Sequence, residues 1–370
     1  MTAKLLAVCM AYSLDQIDWC DVPLLPPIPD PVWERESTKR LGFTSNMAKY
    51  LTPVRWMLEA DELMHARVTP NVPVELAALI SLVVAMDSSC RFCYGAFRSM
   101  LKIMGYSEGV IRKMEESLAV NELPKKQRTA LEFARKISRS APRPSEADLL
   151  ELKAAGYSPI EIAEIAYLAG INAAGNRLAT LLALPPDTVE TVEANWFDKL
   201  KRPFTRKEFW ALLSPVFNVR HPIDFAGPGA GIVRLFEDSP AGAALATMLD
   251  GAWKSRITSV RVKALVFGVV ARGLSCAACE TEAVEALRRE GLTDAEIGHV
   301  LTYLTSEKLN PFELKVLRFA RETVRYQTRR VQELAQAFAA GLEREVLIEI
   351  LGLVSYANGL ARMSVLLHQC

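Results

Sequence analysis

The sequence lacks an excess of charge of either sign: its 370 residues include 44 lysines and arginines against 43 aspartates and glutamates. A protein that binds nucleic acid or anionic lipid through a charged surface usually has a clear surplus of basic side chains, so this balance argues against both partners. Low-complexity tracts are missing too, and 50% hydrophobic with 24% charged residues is typical of a folded protein. The composition favours small molecules or other proteins as partners.

A membrane-spanning hydrophobic run is also missing. The longest apolar stretch of the first half, residues 76–86, is interrupted only by Ser81 and is much shorter than the roughly 20 residues that cross a bilayer. Residues 4–12 have the outline of a very short signal sequence, but no clear cleavage site follows. We therefore expect a cytoplasmic protein that does not associate with a membrane.

The cysteines do not describe a secreted disulfide framework, because seven is an odd number in a chain of this length. Four of them form two close pairs, Cys90 with Cys93 and Cys276 with Cys279. These pairs indicate cytosolic redox or metal chemistry. The remaining three are isolated and are interpreted as incidental thiols: Cys9, Cys20 and Cys370.

The two pairs belong to an internal repeat. The motif at 90–93 recurs 186 positions later at 276–279, and residues 131–135 recur at 317–321 with the same offset. Two further landmarks keep the order, with offsets of 186 and 185: Gly105 with Gly291, and Arg177 with Arg362. Because order and spacing are both preserved, the chain is predicted to contain one domain twice.

The repeat predicts the domain boundaries. Residues 1–22 form an N-terminal extension, 23–184 the first repeat, 185–202 a linker that begins with two prolines, and 203–370 the second repeat. Such lengths allow each repeat a hydrophobic core of its own.

Apolar periodicity predicts helices almost throughout. Residues 74–86 and 262–271 are apolar on nearly every side, as in helices buried within a bundle. Ser107 and Thr293 precede acidic residues as helix N-caps do, and no alternating strand pattern competes. The predicted fold is all-α, with two tandem helical-bundle domains related by an internal pseudo-two-fold.

Each cysteine pair follows a buried helix and a short break, at 87–89 and at 273–275, and then opens a new helix. Cysteines three apart on a helix share one face and can form a disulfide. The positive end of the helix dipole favours thiolate over thiol. A nucleophilic pair that is reversibly oxidised is therefore the leading interpretation.

Two other interpretations of the cysteines are open, namely small apolar core residues and a zinc site made of all four sulfurs. The wide separation of the pairs and the lack of a neighbouring histidine argue against zinc, so no metal or other cofactor is predicted. The histidines do not correspond between the repeats and are interpreted as surface or packing residues: His65, His221, His299 and His368. For Arg177 and Arg362, a salt bridge or a contact with a helix C-terminus is favoured over substrate binding.

A buried helix, Cys-x-x-Cys at the next helix start, the Phe-Ala-Arg segment at 133–135 and Asn-Arg-Leu-Ala at 176–179 resemble the AhpD-like alkylhydroperoxidase and carboxymuconolactone decarboxylase superfamily, present twice. The resemblance implies a thiol-dependent hydroperoxide reductase or disulfide oxidoreductase, recycled by an external thiol reductant. It further implies that Cys93 and Cys279 attack the peroxide while Cys90 and Cys276 resolve the sulfenic acid. Relatives of this kind form oligomers, so a homo-oligomer such as a trimer of two-repeat chains is expected.

The sequence departs from that superfamily at its proton relay, a glutamate twelve positions before the first cysteine and a histidine four after the second. The glutamate positions hold Ala78 and Ala264, and the histidine positions hold Phe97 and Ala283. Four charged residues could replace the relay or stabilise a thiolate, the alternative for each being a solvated or salt-bridged charge: Glu75, Arg261, Glu280 and Glu282.

Two other functions are kept open. One is acid/base chemistry on a small organic acid, like that of carboxymuconolactone decarboxylase. The other is a non-catalytic helical binding or assembly protein that has lost the relay. Unreactive, buried thiols would favour the second.

Overall fold

The computed structural model describes residues 17–41, 45–66, 68–103, 105–120, 123–139, 143–185, 225 and 227–369. All regular elements within these ranges are helices, which confirms the predicted all-α class. Several sequence predictions lie outside the described residues: the first 16 positions of the N-terminal extension, the linker after residue 185, Cys9, His221 and Cys370.

The helices fall into two groups, one before residue 186 and one after residue 226, called here the first and second halves. In the first half they are α1 Pro31–Leu41, α2 Ala48–Leu51, α3 Arg55–His65, α4 Val74–Asp87, α5 Arg91–Ile103, α6 Glu108–Val120, α7 Lys125–Ser138, α8 Glu146–Ala154 and α9 Pro159–Leu181. In the second half they are α10 Ala230–Arg234, α11 Pro240–Lys254, α12 Val260–Gly273, α13 Ala277–Arg289, α14 Asp294–Tyr303, α15 Pro311–Glu322, α16 Thr328–Ala339 and α17 Arg344–Met363, followed by a 3-10 helix at Ser364–Gln369.

The helix order recurs along the chain. The helices α4, α5, α6 and α7 each begin 186 positions before α12, α13, α14 and α15, and α9 begins 185 positions before α17. Capping explains several of these starts. The side chains of Ser158 and Thr293 each accept a hydrogen bond from the backbone amide of the glutamate three residues later, and the carboxylate of that glutamate accepts one from the backbone amide of the cap residue. The recurring helix pattern agrees with the sequence repeat, whereas the domain boundaries and the complete pseudo-two-fold stay predictions.

The long helices α9 and α17 cross at the centre of the protein, and small residues set how closely they approach. A Cβ added to Gly359 would lie 2.7 Å from the carbonyl oxygen of Gly170 and 2.9 Å from the Cβ of Ala174. Helix α17 is long and apolar enough to cross a membrane, but 94% of its most apolar window is buried inside the protein. It is the core helix of the bundle.

Replacing Gly359 with alanine is expected to destabilise the protein by about 2 kcal/mol. Overpacking costs up to about 3 kcal/mol, and a contact with backbone cannot move aside. The higher helix propensity of alanine offsets about 1 kcal/mol of this cost. The matched control is Gly298→Ala in α14, where an added Cβ has nothing within 4 Å and should stabilise by about 0.5–1 kcal/mol. Urea unfolding of both variants measures the effect, and shifts of the same sign would contradict this account of the crossing.

Two buried glutamates connect the halves at equivalent positions of α9 and α17. Glu164 accepts from the Ser239 hydroxyl of the second half at 2.9 Å, and burial raises the pKa of this carboxyl. Glu349 accepts from the indole Nε1 of Trp56 in the first half at 3.0 Å and from the Thr258 hydroxyl at 2.6 Å. Because a buried carboxylate needs such partners, each half helps to satisfy the core of the other.

Candidate functional site

A tight turn after α4 places the first cysteine pair. Ser89 has a φ of +46°, a left-handed conformation that costs a residue with a Cβ of order 1 kcal/mol. The chain then returns, so that the amide of Cys90 donates to the carbonyl of Ala85 at 3.1 Å. The Cys90 sulfur accepts from the amide of Cys93 at 3.3 Å and thereby caps α5.

The second pair uses the same turn. Ser275 has a φ of +51°, and the amide of Cys276 donates to the carbonyl of Ala271 at 2.9 Å. The Cys276 sulfur accepts from the amide of Cys279 at 3.2 Å. Here the two sulfurs are joined as a disulfide across a Cα–Cα distance of 5.4 Å, whereas Cys90 and Cys93 are free thiols. The turn shared by both pairs can therefore hold the two sulfurs within bonding distance.

Burial controls the chemistry of the first pair. Cys90 has no exposed surface, and Cys93 is 6% exposed. Burial raises the pKa of the Cys93 thiol well above its ordinary value, and the neighbouring Cys90 raises it further. This direction runs against the expectation that the helix N-terminus favours thiolate, and desolvation is its largest cause.

Cys93 borders a cavity of about 160 Å³ whose wall is mostly apolar. Ala78 and Phe97, which stand where the relay would have its glutamate and histidine, both line this cavity. A cavity of this size class with aliphatic and aromatic walls accepts a benzene-sized ligand. At these two positions the chain therefore has apolar side chains in the wall of a recess that Cys93 also lines.

The cavity also contains an imidazole that the sequence interpretation assigned to surface or packing. His65 lines the cavity, and its Nδ1 lies 2.7 Å from the carbonyl oxygen of Asp61, one turn earlier on α3. Since a carbonyl only accepts, Nδ1 carries the hydrogen and Nε2 is the proton-accepting atom of the neutral ring. The spacing of Asp61 and His65 on one helix face was the available signal.

Two buried polar groups in the cavity wall lack partners. The Tyr167 hydroxyl and the Asn176 Nδ2 have no hydrogen-bond partner among the described residues, and both residues are 1% exposed. An unsatisfied buried donor costs about 1–3 kcal/mol. Both atoms are sealed from a water in the cavity, so they are a cost to the fold rather than a contact for a ligand.

Residues of the second half contact the turn that precedes the first cysteine pair. The hydroxyl of Thr328 lies 3.4 Å from the carbonyl oxygens of Ser88 and Ser89, to which it can donate. The Tyr326 phenol bonds to Thr180, and its pKa is raised first by burial and then by the Cys90 sulfur. These contacts join segments that are distant in sequence, and no sequence motif predicts them.

The recurring arginines are both buried but differ in their contacts. The guanidinium carbon of Arg177 lies 4.8 Å from the centre of the Tyr326 ring in a cation–π contact, and burial lowers its pKa to about 10. Arg362 donates to carbonyls at the C-terminus of α7. The favoured interpretation, a helix C-terminus contact, is confirmed for Arg362, whereas Arg177 contacts an aromatic ring instead.

Glu75 and Arg261 stand at equivalent positions near the starts of α4 and α12. Glu75 is an acidic residue in the first turn of its helix, where it is favourable to the helix dipole. Arg261 donates to the carbonyl of Glu290 at 2.8 Å. Glu290 directly follows the last residue of α13, whereas Cys276 directly precedes its first, so the two lie about 20 Å apart along the helix. The contacts of Arg261 therefore place it away from the sulfurs that it was expected to stabilise.

Glu280 and Glu282 adjoin the second pair but are engaged with other groups. Glu280 accepts from the Arg272 Nε at 3.0 Å. Glu282 accepts from the amides of Gly229 and Gly231 at 2.6 and 2.7 Å, at the start of α10. These contacts agree with the salt-bridged or structural alternative for both carboxylates. Within the described ranges, no group of three or more His, Cys, Asp or Glu side chains is placed to hold a metal ion.

Comparisons with known proteins are sparse. No family model matches the chain, and no curated protein matches it. Among solved structures, the chain is similar to an uncharacterized peroxidase-related protein from Silicibacter sp. TM1040. The two are 23% identical over 47% of this chain and 93% of that one, with a TM-score of 0.38.

Proposed function

We propose that the chain is a thiol-dependent hydroperoxide reductase whose working pair is Cys90 and Cys93. One observation carries the proposal: Cys93 lines a mostly apolar cavity of about 160 Å³, whereas Cys90 is not among the lining residues and has no exposed surface. A substrate in the cavity meets Cys93 first, and only then does Cys90 come into play. The resemblance to AhpD-like proteins assigns the same order to the two cysteines.

The proposed reaction has three balanced steps. The Cys93 sulfur attacks the terminal oxygen of the hydroperoxide, which gives Cys93 sulfenic acid and an alcohol. The Cys90 thiol displaces water from this sulfenic acid and closes a disulfide. An external dithiol then reduces that disulfide and becomes a disulfide itself. The shared turn supports the second step, since the equivalent Cys276 and Cys279 are bonded to each other.

His65 is the proposed proton acceptor for the first step. Its Nε2 accepts the proton of the Cys93 thiol, directly or through one water, and the same proton can pass to the leaving alkoxide. The support is that both side chains line the same cavity and that the Asp61 carbonyl orients the ring. Such a base matters here because burial keeps Cys93 protonated at neutral pH.

A single-turnover experiment tests the proposal. The fully reduced protein is mixed with less than one equivalent of cumene hydroperoxide, whose aryl group suits the size of the cavity. We expect two thiols to be lost for each hydroperoxide consumed, and peptide mass spectrometry should locate the new disulfide between Cys90 and Cys93. Consumption that leaves both thiols open to alkylation would refute the assignment.

A non-catalytic binding protein is the second candidate, and the burial of Cys93 beside a mostly apolar cavity favours it. In that case the cavity holds a small apolar molecule. The two functions separate in the same experiment, because a binding protein gives saturable affinity for the product alcohol without loss of thiols.

A further inference from the structure

A second cavity, here called the cationic cavity, has a different chemistry from the recess beside Cys93. Its volume is about 80 Å³, and it lies between the C-terminus of α7 and the 3-10 helix that follows α17. Among the described residues, its polar lining consists of four basic residues and two serines, with no acidic one: Lys136, Arg139, Arg143, Arg362, Ser275 and Ser364. Ser275 directly precedes Cys276 in the chain.

The positive charge around this cavity is only partly neutralised. Lys136 pairs with Asp148. Arg139 pairs with Asp87 at 2.7 Å, but Asp87 also binds Arg135 at 2.8 Å and is therefore shared. No ion pair of Arg143 is found in the described part of the chain. Within the described ranges, the ion pairs of these basic residues involve two carboxylates, Asp87 and Asp148, and Asp87 is shared with Arg135.

Arg362 is held in place by backbone. Its Nη1 donates to the carbonyl oxygens of Ile137, Ser138 and Arg139 at 3.2, 2.8 and 2.7 Å. The pKa of this guanidinium is lowered to about 9, first by burial and then by the like charges of Arg177 and Arg143. Like charges held together at this cost are relieved when an anion binds between them.

We propose that the cationic cavity binds a tetrahedral oxyanion, as inorganic phosphate or as the terminal phosphate of a small metabolite. The volume of about 80 Å³ exceeds the roughly 10–15 Å³ that one water needs, so the cavity has room for one phosphate group. Guanidinium and hydroxyl donors are the groups that recognise phosphate oxygens. Arg139 and Arg143 are exposed enough for an anion to enter from solvent.

The site is independent of the proposed reductase activity, because none of its lining residues lines the cavity at Cys93. Ser275 lines the cavity and directly precedes the second cysteine pair, whereas neither Cys276 nor Cys279 is among the lining residues. The two proposals can therefore fail separately.

Isothermal titration of the full-length protein tests this site at constant ionic strength, with inorganic phosphate, phenyl phosphate and acetate as probes. We expect saturable phosphate binding and a saturable rise of about 1–3 °C in Tm. Phenyl phosphate binding as tightly as phosphate would identify a terminal phosphate as the ligand, and binding of phosphate alone would identify the free ion.

Arg143→Gln should weaken phosphate binding about tenfold or more, since it removes a charge-assisted donor. Arg289→Gln is the matched control, because it removes the same charge from an exposed position of α13 and should leave the affinity unchanged. The proposal is overturned if wild type shows no saturable phosphate binding, if both variants weaken it equally, or if acetate binds more tightly than phosphate.

Discussion

Cys93→Ser is expected to reduce steady-state hydroperoxide turnover about a thousandfold, whereas Cys279→Ser should change it by less than about twofold. Serine keeps the shape of the side chain but cannot supply the thiolate that attacks the peroxide. The assay follows cumene hydroperoxide consumption with an excess of dithiol. The Tm of each variant serves as the check that folding is retained.

The expected asymmetry follows from the surroundings of the two pairs. Beside Cys93, the position four residues later is Phe97, which is half-buried and lines the cavity. The equivalent position in the second half is Ala283, which has no exposed surface. Ala264, twelve positions before Cys276, has none either. A recess therefore adjoins Cys93, whereas at the second pair, where Cys279 is 8% exposed, the two corresponding alanines have no exposed surface.

Cys90→Ser refines the same prediction. The variant should still consume one equivalent of hydroperoxide in a single turnover, because the attacking sulfur is present, but it cannot close the disulfide. Dimedone should then trap the sulfenic acid at Cys93. An equal loss in Cys93→Ser and Cys279→Ser, or trapping at Cys90 in the Cys93→Ser variant, would contradict the assigned order of the cysteines.

The helical class and the repeated helix order were predictable because their signals are local. The buried helices α4 and α12 are apolar on nearly every side, and capping residues such as Thr293 mark helix starts within a few positions. The placement of each Cys-x-x-Cys motif at a helix start follows from the same short stretches. None of these features depends on which helix packs against which.

The cavity was not predictable, because its wall is assembled from helices far apart in the chain. His65 comes from α3, Ala78 from α4, Cys93 from α5 and Asn176 from α9. His65 has no counterpart in the second repeat, where Gly251 stands at the equivalent position, so the repeat does not single it out. A repeat identifies what the two halves share and is silent about a group that only one half uses.

For a related reason, the charged residues near the cysteines in sequence did not indicate which groups surround the sulfurs. Glu280 and Glu282 lie next to the second pair along α13, yet one neutralises Arg272 and the other caps α10. Adjacent positions on a helix point in different directions, so sequence proximity does not decide which group faces a sulfur. The burial of a thiol depends on how the whole bundle packs. The direction of its pKa shift follows from that burial and so depends on the packing as well.

Alkylation of Cys93 by iodoacetamide is expected to accelerate about tenfold for each pH unit between pH 7 and pH 9, or about a hundredfold in all. The reason is that burial and Cys90 raise the pKa of the Cys93 thiol, so the reactive thiolate is a small fraction throughout this range and grows in proportion to hydroxide. A thiol with a lowered pKa would instead react at a rate independent of pH. Quantitative mass spectrometry of the peptide that carries Cys93 gives the rate. A short unstructured cysteine peptide is the reference, and its rate should level off above its pKa of about 8.5.

His65→Gln separates the resting thiol from the reacting one. The variant should keep the pH slope of alkylation, because burial rather than the imidazole sets the pKa of Cys93. It should nevertheless slow hydroperoxide-driven disulfide formation about tenfold or more at pH 7, because the proton acceptor in the cavity is gone. A flat alkylation profile in wild type would mean that a thiolate is already present at rest, and His65 would then have no proton to remove. Unchanged peroxide kinetics in the variant would assign that proton to a different acceptor, leaving the imidazole as a wall of the cavity.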